Sequence, residues 1–392
     1  MNDERSLATN LIHGRKDAER SLVHPIYQTV AFSVDENEDY TELNEYDAER
    51  YFYTRYSNPT IRNVEKKLAA LEGGEAALLF SSGMNAITMT LLKLLKSGDT
   101  IVASRAVYGS TLHYIEDFLP NYGIQPVILS EDELYRCDEI APEAKVVFFE
   151  TPVNPRVDCL SIPQVVAAAR RCGALTIIDN TFATPINQTP RAFGVDLIIH
   201  SVTKYIGGHA DVTAGAVITD EDLIVPLYEA RKMLGGIPSP QDAFLIDRSL
   251  KSLPLRMKLH NENALQLARF FEDEAPVKEV LYPGLESSSQ HEVAKQQMKG
   301  FGGMLCVDLG SLSAAQTFSE SLALLRNVPH LGAAETMVCL PALTSHARFS
   351  EEQLVAAGLS PGLVRISVGL EEIDDLIADC RQALQKIANG IG

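Results

Sequence analysis

The chain has 392 residues, 46% of them hydrophobic and 22% charged, with a formal net charge of −18 at pH 7. A chain of this length buries roughly three quarters of its unfolded surface, enough for more than one domain. The negative field repels phosphate, which argues against non-specific binding to nucleic acid or an anionic membrane, so a small anionic ligand would need a locally positive pocket.

No apolar run approaches the ~20 residues of a membrane span. Residues 1–20 are polar and lack the apolar centre of a signal peptide. Cys137, Cys159, Cys172, Cys306, Cys339 and Cys380 are scattered, with no Cys-x-x-Cys pair and no metal-like spacing to histidine. They read as reduced thiols of a cytoplasmic protein without a metal site.

Residues 1–60 lack clean periodicity and include an acid-rich run at 35–49, which reads as a solvated loop or as a lid over an entrance. Asn58-Pro59-Thr60 then marks a turn. Ile61, Val64, Leu68 and Leu71 follow at helical spacing until Gly73-Gly74 stops the helix. Short apolar strands are expected at 76–80, 100–103, 125–129, 146–149, 175–178 and 197–199, with helices such as 162–171 between several of them. That alternation predicts a mainly parallel sheet covered on both faces. After about Leu253 the texture changes to a long amphipathic helix (259–274), a Gly-rich turn at Phe301-Gly302-Gly303, strands at 304–309 and 363–368 and a C-terminal helix. These elements predict a second, smaller α/β domain.

In parallel sheets ligands gather at the carboxyl ends of the strands, and three polar clusters fall there. Ser81-Ser82-Gly83-Met84 joins a strand to a helix, where glycine permits close backbone approach and free N–H groups face a phosphate. Asp179 follows an apolar strand and suits either a helix N-cap or a carboxylate partner for a cofactor's pyridine nitrogen. Ser201-Val202-Thr203-Lys204-Tyr205 follows another strand. Burial there would lower the Lys204 pKa and supply the neutral amine that Schiff-base chemistry needs. Ser201 and Thr203, two apart, could donate hydroxyls to one phosphate.

The segment SVTKYIGGHADVTAG (201–215) resembles the cofactor-lysine signature of the Cys/Met-metabolism family of pyridoxal-phosphate enzymes. That family includes methionine γ-lyase, cystathionine γ- and β-lyases, cystathionine γ-synthase and the homoserine sulfhydrylases. HPIYQTVAF (24–32), YTRYSNPT (53–60), VYGST (107–111), ETPVNP (150–155), DNTFATP (179–185), PLRM (254–257) and LVRISVGLE (363–371) extend the likeness along nearly the whole chain.

The resemblance implies the aspartate-aminotransferase-like α/β fold (fold type I). It divides the chain into an N-terminal arm (1–60), a pyridoxal-phosphate domain (61–252) and a C-terminal domain (253–392). It makes Lys204 the cofactor lysine and proton carrier, and Asp179 the pyridine partner. Ser82, Gly83, Met84, Ser201 and Thr203 become phosphate ligands. Tyr108 becomes the ring-stacking acid–base group, Asn154 the contact to the ring's phenolic oxygen and to substrate, and Arg365 the clamp on the substrate carboxylate. Tyr53 and Arg55 would reach the phosphate of a neighbouring subunit, which implies a homo-oligomer: a dimer with shared sites, extending to a tetramer.

Several positions depart from common family patterns. His330 stands where many members have serine, Pro329 where cystathionine-cleaving members often have glutamate, and Ser110 where many methionine γ-lyases have cysteine. Arg231-Lys232 replaces a Lys-Asp pair. His330 is expected either as a substrate contact titrating near neutral pH or as a structural histidine. The expected activity is a carbon–sulfur lyase, a γ-elimination on a methionine- or cystathionine-type amino acid. The alternative is γ-replacement on an O-acylhomoserine by a thiol. A dinucleotide-binding oxidoreductase is disfavoured because no Gly-x-Gly-x-x-Gly turn follows the first strand.

Overall fold

The computed structural model describes residues 6–12, 21–34, 42–46, 48, 50–344, 347, 350, 352, 354 and 358–388. Most of the acid-rich run at 35–49 lies outside them. A seven-stranded sheet is built from β1 (Ala76–Phe80), β2 (Thr100–Ser104), β3 (Gln125–Leu129), β4 (Ala144–Glu150), β5 (Leu175–Asp179), β6 (Leu197–Ser201) and β7 (Gly215–Thr219), in the spatial order β1-β7-β6-β5-β4-β2-β3. β3, β2, β4, β5 and β6 pair in parallel, whereas β7 is antiparallel to both β6 and β1.

β7 was not among the expected strands; its residues overlap the end of the lysine signature. Its reversal matters for the site. Because β7 is antiparallel to both neighbours, β1 runs in the same direction as β6. The carboxyl ends of β1, β4, β5 and β6 therefore share one edge. Apolar clusters cover both sheet faces, which explains strands that read as continuous hydrophobic runs.

The second sheet has the order β10-β11-β12-β9-β8, from β8 (Glu279–Leu281), β9 (Met304–Asp308), β10 (Arg326–Asn327), β11 (Met337–Cys339) and β12 (Leu363–Ser367). The helix Leu253–Glu272 precedes it and begins six residues earlier than its apolar pattern suggested. Pro254 occupies the first turn, where its missing N–H costs nothing. Val364, Ile366 and Val368 face a core shared with that helix and with Ile373–Ala388. The opposite face of β12 carries Arg365 and Ser367 and is also buried, at 8% and 1% exposure. It faces the carboxyl edge of the large sheet instead of solvent. Among the described residues no helix is long and apolar enough to cross a membrane, and all six cysteines are free.

Candidate active site

A cavity of about 230 Å³ opens where β12 meets the carboxyl ends of β4, β5 and β6. Its wall includes Ser82, Gly83, Met84, Tyr108, Asn154, Asp179, Ser201, Thr203, Lys204 and Arg365. These expected residues come from six separate stretches of the chain. The wall also includes Pro329, Leu331 and Glu150, the last of which had no assigned role.

The helix Gly83–Leu94 starts at this edge, with the Ser82 hydroxyl accepting the Asn85 N–H at 3.0 Å as N-cap. Gly83 is packed so closely that a Cβ there would lie 2.9 Å from the Ser201 Cβ. Only glycine lets the helix start and β6 approach this far. Thr203 Oγ1 both donates to the Ala214 carbonyl at 3.1 Å and accepts the Ala214 N–H at 3.0 Å. To donate to a phosphate it must give up that carbonyl.

Asp179 is 9% exposed and its Oδ1 accepts the Thr181 N–H at 3.0 Å. Burial pushes its carboxyl pKa up, opposed by the Thr181 hydrogen bonds and the charge of His200. Among the described residues it forms no ion pair, so a protonated pyridine nitrogen would supply the missing cation. Lys204 is drawn down to about 8, first by burial and then by the Arg365 charge. Its Nζ lies 2.9 Å from His330 Nδ1. Since the ammonium can only donate, Nδ1 is the acceptor and Nε2 carries the ring proton.

His330 rides on a turn held against the lysine. Gly332 has φ +76°, and a Cβ there would lie 2.6 Å from the Tyr205 amide nitrogen. Its N–H donates to Ser367 Oγ at 2.9 Å. Burial, Lys204 and Arg365 push the His330 pKa down to about 4, below the near-neutral range in which a histidine ordinarily titrates. Two cations and partial burial keep the imidazole neutral.

Arg365 donates through Nη1 to Asn154 Oδ1 at 2.9 Å and through Nη2 to the His330 carbonyl at 3.3 Å. Arginine cannot accept, so Asn154 presents its oxygen to Arg365 and its NH₂ is left to donate elsewhere. Tyr108 is 45% exposed at the mouth, and its backbone N–H donates to Glu150 Oε2 at 2.9 Å.

Other expectations fall outside the cavity. Ser110, a candidate substrate contact because many methionine γ-lyases have cysteine there, is exposed within the short helix Gly109–His113 and is not part of the cavity wall. Arg231 is 1% exposed and locked on Glu65 Oε1 at 2.6 Å and the Leu79 carbonyl at 2.8 Å, behind β1. Tyr53 and Arg55 line no part of this chain's cavity; Arg55 donates to the Lys232 carbonyl and lies over the Tyr56 ring. Among the described residues no cluster of three or more His, Cys, Asp and Glu side chains could hold a metal ion.

Residues 8–385 match the family described as Cys/Met metabolism PLP-dependent enzymes. The chain belongs to that family. Its cofactor is pyridoxal 5′-phosphate, and the residues present fit it: a glycine-closed helix start, a buried carboxylate lacking a cation and an amine of lowered pKa at one sheet edge.

Among Cys/Met-metabolism enzymes, the chain is 40% identical to an L-methionine gamma-lyase of Fusobacterium nucleatum subsp. polymorphum, over 97% of this chain and 98% of that protein. It is 38% identical to a cystathionine beta-lyase of Lactococcus lactis subsp. cremoris, over 97% and 99% of the two chains. The crystal structure of a cystathionine gamma synthase from Xanthomonas oryzae pv. oryzae superposes with a TM-score of 0.91 at 35% identity, covering 99% of this chain and 100% of that one.

Proposed function

We propose that the chain is a carbon–sulfur lyase that cleaves a methionine- or cystathionine-type amino acid into a thiol, ammonia and a 2-oxo acid. The observation that carries this reading is one cavity holding both a proton-accepting amine, Lys204, and a carboxylate-binding fork, Arg365. The likeness to an L-methionine gamma-lyase supports it. Lys204 would hold the cofactor, with Asp179 at its pyridine nitrogen, Asn154 at its phenolic oxygen and Ser82, Gly83, Met84, Ser201 and Thr203 at its phosphate. When bound, pyridoxal phosphate supplies an electron sink for the carbanion left when the α-proton departs.

The chain's own groups do the rest. Arg365 grips the α-carboxylate and, already tied to Asn154 and the His330 carbonyl, loses little freedom in doing so. Lys204 Nζ takes the α-proton, must give it up again to the bound molecule, and as the free amine then takes the second proton, from Cβ, that γ-elimination requires. Tyr108, at the mouth, gives its phenolic proton to the departing sulfur. His330 orients Lys204 as a neutral acceptor and contacts the bound amino acid.

Tyr53 and Arg55 would complete the phosphate site of a neighbouring subunit, in a dimer extending to a tetramer in the cytoplasm. Exposed apolar side chains favour such an assembly, among them Leu22 at 96%, Val30 at 63% and Met233 at 75% exposure.

The second reading is γ-replacement on an O-acylhomoserine by a thiol, supported by the cystathionine gamma synthase structure. The same residues serve both reactions. Incubation with methionine, cystathionine, cysteine and O-acylhomoserines, with and without a thiol, decides between them. A lyase releases 2-oxobutyrate or pyruvate from a thioether alone. Thioether formation without keto acid from any thioether substrate would favour the synthase.

A further inference from the structure

Glu150 is a buried carboxyl on the cavity wall to which the mechanism assigns nothing. It ends β4 directly opposite Asp179, which ends β5 in the same register. Paired residues on adjacent strands are about 4.8 Å apart and point to the same face, so two carboxyls lie side by side at 5% and 9% exposure. Neither forms an ion pair among the described residues.

Two like charges held next to each other in a water-poor site resist ionising together. Asp179 has the cofactor's pyridine nitrogen to hold its charge. Glu150 has no such cation: Arg365 is the weakest influence on it, and burial followed by the charge of Asp179 pushes its pKa well up. Its hydrogen bonds run instead to backbone. Oε2 accepts the Tyr108 N–H at 2.9 Å, and the backbone N–H of Asn154 also favours the charged carboxyl, against the rise in pKa. Those two residues carry the side chains expected over the ring and at its phenolic oxygen. A carboxylic acid accepts an N–H through its carbonyl oxygen as well as a carboxylate can, without a second negative charge beside Asp179.

We propose that Glu150 is a positioning residue that works as a neutral carboxylic acid, anchoring the backbone of Tyr108 and Asn154 around the cofactor ring and leaving Asp179 the sole anion there. The inference rests on the cofactor and its placement, not on which amino acid is cleaved.

The test compares Glu150→Gln and Glu150→Ala holoenzymes by cofactor retention on dilution, followed by visible absorbance, with far-ultraviolet circular dichroism as the control for folding. Glutamine is neutral, of the same shape, and keeps the accepting oxygen, so its cofactor dissociation constant should stay within about threefold of the parent protein. Alanine leaves the Tyr108 amide without its partner and should weaken retention roughly tenfold. A folded glutamine variant that loses cofactor as readily as alanine would overturn the proposal, because the charged form would then be the working one. So would an alanine variant that retains cofactor like the parent, or a glutamine variant that fails to fold. If alanine alone fails to fold, the glutamine result decides. Because cofactor retention is read without substrate, a failure here is separable from a failure of the lyase reading.

Discussion

Replacing Arg365 by alanine removes the cation that the substrate carboxylate would meet and unties two neighbours. The guanidinium is 8% exposed and holds Asn154 Oδ1 at 2.9 Å and the His330 carbonyl at 3.3 Å. Its loss leaves the incoming carboxylate in a buried site without a counter-ion, at a cost of about 2–5 kcal/mol. That corresponds to a fall in kcat/KM of roughly 30- to 4,000-fold. Because the carboxylate is held alike in ground and transition states, most of the loss should fall on KM. The release of Asn154 adds a smaller fall in kcat. Steady-state kinetics on methionine, read as 2-oxobutyrate, separates the two parameters. Arg365→Lys should recover only part of the loss, since a point charge lacks the bidentate fork. An alanine variant with unchanged KM and kcat would refute the carboxylate role.

Other outcomes follow from the same geometry. His330 is held near 4, so His330→Gln should leave the pH profile of kcat/KM between pH 6 and 8 unchanged; disappearance of a limb near 6.5 would contradict a neutral imidazole. Asp179→Asn removes the anion at the pyridine nitrogen and should lower keto-acid release by roughly 100-fold while the fold persists; near-parent turnover would remove Asp179 from that role. Gly332→Ala combines φ +76° with a Cβ placed 2.6 Å from the Tyr205 nitrogen, so denaturant titration should find a loss of ~1–3 kcal/mol. An unchanged midpoint would mean that the turn relaxes freely. His260 is also pushed down to about 4 by burial. Its unfolded form takes up protons that the folded form refuses, so stability from this group is present above about pH 6.5 and lost as pH falls towards 4. A His260→Gln variant should lack that component of acid destabilisation.

The sequence already exposed the residues at strand ends, because a polar group directly after an apolar run in a parallel sheet has few places to go. Ser82, Asp179 and Lys204 were legible in that way. The contact between Lys204 and His330 was not, since 126 residues separate them and only packing of the Gly332 turn on Tyr205 closes the gap. Alternation in β12 separated Arg365 from Val364 and Ile366 correctly, but periodicity does not reveal whether a polar face meets water or another sheet. Glu150 stayed unassigned because its significance lies in the register of β4 on β5. Arg231 pointed the other way: a charged residue at a family-variable position proved to be a buried partner of Glu65. Ser110, two residues after Tyr108, is exposed and forms no part of the cavity wall.

Lys204 is the amine on which every other assigned role in the cavity converges. Borohydride reduction of the holoenzyme followed by peptide mass spectrometry tests this directly. The cofactor mass should appear on the peptide containing Lys204 and on no other, and Lys204→Ala should lack both the adduct and the visible absorbance band. An adduct on a different lysine, or an unchanged band in the alanine variant, would contradict the account.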